Sequence, residues 1–200
     1  MKRTTTRHKR ELRRFITHNR HLFPFAGLFA AGALTGVAVY MTAGGEIPAD
    51  LLQLRPIPPG GWWQAFGNSC FATILWLAAL FLFGLWGCGA PLILAVPFFH
   101  GLGLGLTESH YYHDGWNGVA TVVTVVMPIG LLTAALLATA GAQSLRMSLG
   151  LCRHLLGDDG DNPLREFQVY CIRFLLFLAA ALVVSLMDIA LRGWLIPAVS

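Results

Sequence analysis

From Phe66 to Leu106 the chain carries no Asp, Glu, Lys or Arg, and that fact alone removes most folds from consideration. A membrane crossing takes about 20 mostly apolar residues, so the run is too long for one helix and has to fold back on itself. Gly87, Cys88, Gly89 and Pro91 supply the turn. The whole chain is 56% hydrophobic and 12% charged, against roughly a quarter charged in soluble domains, which makes the lipid bilayer its solvent. In hydrocarbon every backbone N–H and C=O must be satisfied within the protein, leaving helix bundles or closed barrels. Barrel strands alternate in polarity and these runs do not, so the expected fold is an all-α integral membrane bundle.

Five stretches meet the length requirement: 22–42, 67–88, 90–107, 117–142 and 168–191. They form a single transmembrane domain over 22–200, preceded by a basic arm over 1–21. Pro97 interrupts the third stretch and glycines follow at 101, 103 and 105, which leaves that helix open to a break, a kink or a partly re-entrant path. Eight of the 14 Lys and Arg precede the first span. Arg146, Arg153, Arg165 and Arg173 flank the last connection, and only Arg55 and Arg192 fall opposite. By the positive-inside rule the N-terminus is expected in the cytoplasm and the C-terminus outside. Met41-Thr42-Ala43 does not match a small-x-small cleavage site, so the first span reads as an uncleaved anchor.

The segments around the spans suggest further elements. Leu12, Phe15 and Ile16 sit at helical spacing among arginines, so residues 8–19 suit an amphipathic helix on anionic lipid, or the charges simply set topology. Outside, residues 48–54 suit a short helix ended by Pro56, Pro58 and Pro59. Trp62, Trp63 and Phe66, with Tyr111, Tyr112 and Trp116, mark the outer headgroup level. Inside, Leu145, Leu149, Cys152 and Leu156 share a helical face, as a continuation of the fourth helix along the membrane would. Asp158, Asp159 and Asp161 lack the downstream Glu of a calcium loop and read as a solvated turn, with Asn162 capping and Pro163 opening the fifth helix. The four cysteines form no CxxC pair and read as small apolar packing.

Few residues invite a functional reading. His100 falls near the bilayer midplane, where an interhelical hydrogen bond explains it more simply than a proton or solute relay. Gly101 and Gly105 form a G-x-x-x-G that lets a neighbouring helix approach closely. Glu108, His110, His113 and Asp114 are the only cluster of metal-ligand types, but H-x-x-H on a loop is a weak signal and a polar outer loop anchored by tyrosines explains them more simply. Asp188 stands four residues before Arg192, which fits an i,i+4 ion pair, or a contact to a partner protein. No nucleophile and base fall at a common depth, and no phosphate loop or nucleic-acid motif occurs, so no enzymatic activity, cofactor or metal is expected. The oligomeric state is not legible.

Two segments resemble a known family. Gly89-Ala90-Pro91-Leu92-Ile93-Leu94, Phe98-Phe99-His100-Gly101 and Gly105 resemble the central segment of the stage II sporulation protein M family. Met187-Asp188-Ile189-Ala190 through Ile196-Pro197 is similar to that family's closing pattern. The resemblance covers about 22–200 and implies a non-enzymatic, multi-pass protein in the plasma membrane of an endospore-forming bacterium. It also implies a scaffold that recruits the cell-wall hydrolases, stage II sporulation proteins D and P, to the septal membrane during engulfment. A small permease working at a broken third helix is the alternative. For a scaffold, partner contact is expected around Leu51, Leu54, Trp62 and Trp63, with Asp188 and Arg192 nearby.

Overall fold

The structure is a computed structural model and describes residues 22–44, 61–113, 115–155 and 163–199. The basic arm, the outer segment with Leu51 and Leu54, and the Asp158 to Asn162 turn lie outside the described residues. The described chain is all helical: α1 (Phe23–Thr42), α2 (Trp62–Gly84), α3 (Ala90–Tyr112), α4 (Trp116–Thr121), a π-helical turn (Val122–Val126), α5 (Met127–Leu155) and α6 (Pro163–Val199). The π turn joins α4 to α5 without a break, so the described residues hold five helices long and apolar enough to cross a membrane.

The expected spans are all present, with shifted ends. α2 starts at Trp62 and not at 67, because the tryptophans form its first turn. It stops at Gly84, and Gly89 closes the turn to α3 through its N–H to the Trp86 carbonyl, 2.8 Å. A side chain on Gly89 would collide with the Phe83 carbonyl, which is why glycine stands there. Pro91 lies in the first turn of α3, where its missing N–H costs nothing.

Of the paths left open at Pro97, the break does not occur: α3 runs unbroken from Ala90 to Tyr112 with Pro97 buried inside it. One hydrogen bond is lost, yet close packing against α1 on the glycine face holds the helix in line. It also continues past Glu108, and there the Thr107 and Ser109 hydroxyls are satisfied inside the bundle by donating to the Gly103 and Gly105 carbonyls at 2.8 Å. The distortion appears instead in front of Pro128, where the Met127 N–H reaches back five residues to the Val122 carbonyl. A proline ring clashes with the carbonyl four residues before it, and the wider π turn moves that carbonyl aside.

Successive helices alternate in direction. Gly32 faces Phe98 and Gly36 faces Leu102, so α1 and α3 run parallel, whereas Ser69 and Tyr170 place α2 antiparallel to α6. The start of α1 and the end of α6 therefore lie at opposite ends of the bundle. One core cluster, around Phe25, Leu77, Leu80, Ile93, Leu137 and Phe174, fills the half nearer the start of α1. Leu104, Val122, Val125, Val126 and Ile129 fill the other half. Long apolar side chains point outward instead, among them Leu34, Phe71, Leu82, Leu175 and Leu176. Such a surface is at home in lipid, where helices associate through packing and small residues.

Candidate functional site

The sequence-predicted residues fall into two places along the bundle axis. The first lies at mid-depth, where α1 and α3 meet across glycines. Gly101 and Gly105 abut the backbone of Phe29 and Ala33, and Gly32 and Gly36 abut that of Phe98 and Leu102. Each helix thus offers a G-x-x-x-G to the other. The sequence reading caught only the α3 half. The signal for the other half, two glycines four apart in the first span, was present but has meaning only once the two helices are known to pair.

His100 sits beside this seam and is 6% exposed. Its imidazole hydrogen-bonds the backbone of Gly130 in α5, and its ring lies 6.0 Å from that of Phe29 in α1. Gly130 is itself tucked under the Leu104 side chain, so α3 and α5 touch closely here. The polar group thus bridges two helices beneath an aromatic cover. Its partner is main chain, which leaves no residue type in the sequence to point to it.

The second place is the end of the bundle where α2 begins and α6 finishes. Arg192 Nε donates to Asp188 Oδ1 at 2.7 Å, and its Nη2 donates to Oδ2. Ser69 Oγ of α2 donates to Oδ2 at 2.8 Å. Asp188 is 1% exposed and Arg192 7%. The expected i,i+4 pair therefore exists, but inside the bundle. Both side chains are enclosed within the bundle and leave little area at its surface. With three donors on its two oxygens, the carboxylate ties α6 to α2. Ser69 was not foreseen, since a lone serine in an apolar run is an ordinary helix residue.

Trp62 and Trp63, at the start of α2, separate sharply. The Trp62 ring lies against Gly193, where any side chain would collide with it, and so caps the buried pair. Trp63 is 86% exposed, and Trp116 at the same end is 85% exposed. Glu108, His110 and His113 do not converge: the two imidazoles flank the Tyr40 ring at 6.3 and 6.1 Å. Among the described residues no three His, Cys, Asp or Glu side chains are placed to hold a metal ion. Cys70, Cys88, Cys152 and Cys171 are free thiols.

A further set of ties, unforeseen in the sequence, closes the opposite end. Tyr170 Oη of α6 donates to the Phe81 carbonyl of α2 at 3.0 Å and lies 3.2 Å from Ser144 Oγ of α5. Its ring stacks on Phe81 at 5.2 Å. Ser148 Oγ donates to the Trp86 carbonyl at 2.8 Å, clipping α5 to the turn between α2 and α3. In a dry interior each such bond satisfies groups that would otherwise be costly to bury, and together they fix the register of the helices. These buried polar groups, at both ends, are thus engaged with one another or with main chain.

No curated protein and no solved structure matches the chain significantly. Residues 25–186 match the sequence profile described as Stage II sporulation protein M, which takes in all of α2 to α5 with most of α1 and α6, and the chain belongs to that family.

Proposed function

We propose that this protein is a non-enzymatic scaffold of the plasma membrane in an endospore-forming bacterium, and that it holds peptidoglycan hydrolases at the septal membrane during engulfment. Family membership supports a sporulation-related membrane protein, and the family is not a known family of enzymes. The observation that carries the reading is where the polar side chains go. His100, Asp188, Arg192 and Ser144 are all buried; Arg192 pairs with Asp188 on its own helix, and His100, Asp188 and Ser144 bind one helix to another. A tether needs a rigid bundle with a free outer surface. Trp63 and Trp116 offer large exposed rings at the end where α2 begins, suited to a protein partner or to the headgroup layer. The permease reading loses its main support, because α3 is continuous through Pro97 and His100 is closed in.

The test is capture of the hydrolases, proteins D and P of stage II, from detergent-solubilised membranes of sporulating cells that carry a tagged chain. Recovery with the wild-type chain, and its reduction when Leu51 and Leu54 are both replaced by Ser at unchanged abundance, is the expected result. Recovery no greater than with an unrelated tagged membrane protein would remove the scaffold reading. Undiminished recovery with the double variant would move the contact surface to Trp116 and its loop.

A further inference from the structure

At the end of the bundle away from Asp188, a groove of about 420 Å³ opens between α5 and α6. Gln143, Arg146 and Met147 line it from α5, at the spacing of one helical face. Arg165, Glu166, Val169, Tyr170 and Arg173 line it from α6. Three guanidinium groups thus meet one carboxylate. Glu166 leans toward Gly150, and among the described residues no ion pair joins it to any of the three arginines.

Depth decides what such a groove meets. Arg173 and Arg192 are nineteen positions apart on one helix, about 28 Å at ~1.5 Å per residue, close to the ~30 Å of the hydrocarbon layer. The two arginines therefore mark its two boundaries. Arg192 has the buried Asp188 carboxylate. Arg173 has a neutral acceptor, the Gln143 side-chain oxygen at 2.5 Å. A guanidinium at a hydrocarbon boundary calls for an anion, and the anions at that level are lipid phosphates. Arg165, eight positions earlier, lies about 12 Å nearer the water, so the cationic lining runs through the headgroup layer.

The flanks of the groove suit the rest of a lipid. Ile172, Leu175 and Leu176 of α6 are exposed apolar side chains along or below it. A phosphoryl group drawn in by the arginines would leave its acyl chains against these residues. Arginine forks pair bidentately with phosphate, and more than one fork favours a headgroup with more than one phosphate. A zwitterionic headgroup would bring a cation to the same place. From these placements we infer that the groove binds the phosphoryl headgroup of an anionic glycerophospholipid in that leaflet.

The test uses the full chain, purified in a neutral detergent and titrated with phosphatidylglycerol, diphosphatidylglycerol or phosphatidylcholine, with bound lipid counted by native mass spectrometry. Both anionic lipids should bind at least tenfold more tightly than phosphatidylcholine, and diphosphatidylglycerol most tightly. The double variant R146Q/R173Q should lose at least tenfold in that affinity. R153Q removes one charge, as R146Q does, from an exposed arginine at the same end but outside the groove, and should change nothing. Should the double variant fail to elute as a single species, Arg146→Gln alone, at an exposed position, should still lose about threefold. Equal losses in R153Q and R146Q would reduce the effect to diffuse charge and overturn the site. Unchanged binding in the groove variants would do the same. Displacement of the lipid by millimolar inorganic phosphate would assign the groove to free phosphate and overturn the lipid.

Discussion

Replacing Gly101 by Ala tests the α1 and α3 seam most directly. A methyl there would overlap the Phe29 carbonyl oxygen, and would stand 3.0 Å from the Phe29 carbonyl carbon and 3.1 Å from the Ala33 nitrogen. Ordinary carbon contacts are about 3.5–4.0 Å, so the helices have to part by roughly 1 Å, and such a gap forfeits a quarter to a half of each pair's dispersion energy. The obstruction is backbone on both sides, so no rotamer change relieves it. Overpacking of this kind costs about 1–3 kcal/mol, or a fall in unfolding temperature of some 2–4 °C for each kcal/mol in a chain of this size. Gly27 lies in α1 with nothing within 4 Å of an added methyl, so Gly27→Ala is the matched control. It should be neutral or slightly stabilising, because Ala is the better helix former by about 1 kcal/mol. Thermal unfolding in detergent, followed by tryptophan fluorescence, measures both. If Gly101→Ala and Gly27→Ala unfold together, the seam does not hold α1 in place and the packing argument fails.

Further outcomes follow from the polar ties. Asp188→Asn leaves the Arg192 charge buried without its carboxylate and should cost about 3–5 kcal/mol, whereas the double variant D188N/R192Q should recover much of that in the same unfolding assay. A double variant as unstable as the single one would mean that the pair is not coupled. Tyr170→Phe should cost about 0.6–1.5 kcal/mol for its hydrogen bonds, and it should soften the effect of Gly84→Ala, whose methyl would otherwise run into the tyrosine hydroxyl. For topology, a reporter fused at Ser200 should be active only where an extracytoplasmic reporter works, and one at Asp159 only with a cytoplasmic reporter. The same side for both would contradict the alternation of the five helices.

The five spans were legible because lipid tolerates so little: charge is excluded from them, and the long uncharged run could only be two helices. Their ends were less so. Trp62 and Trp63 read as interfacial residues and so as flanks, but a helix can carry its own interfacial belt in its first turn. Glu108 read as the end of the third helix, whereas that helix continues one turn further. Pro97 looked disruptive from local rules alone, and what it loses is local while what holds it is tertiary. The Asp188 to Arg192 spacing was readable because both partners lie on one helix. The tie to Ser69, the seating of Trp62 on Gly193 and the bond from His100 to Gly130 were not, since each depends on which helices neighbour each other.

These ties also constrain how the protein can move. α6 is fastened to α2 near both ends, by Asp188 to Ser69 and by Tyr170 to the Phe81 carbonyl. α5 is fastened to the turn after α2 by Ser148 and to α3 through His100. α1 depends on the glycine seam along its length, and on Phe25, which sits against Gly141 of α5. Alternating access requires one group of helices to rock against another, and any such division would break a hydrogen bond or a backbone contact. Interhelical hydrogen bonds in membranes are worth about 0.6 kcal/mol on average, so no single bond forbids the motion. The α2 and α6 pair, however, is tied at both ends, so a rocking motion between these two helices that relaxes one end strains the other. α1 is held differently, by the glycine seam with α3 and the seating of Phe25 on Gly141, and it follows directly on the basic arm. A change that loosens that seam would release α1 with the arm while leaving α2, α5 and α6 assembled, so Gly101→Leu should disturb anything that depends on the arm before it disturbs the remaining bundle.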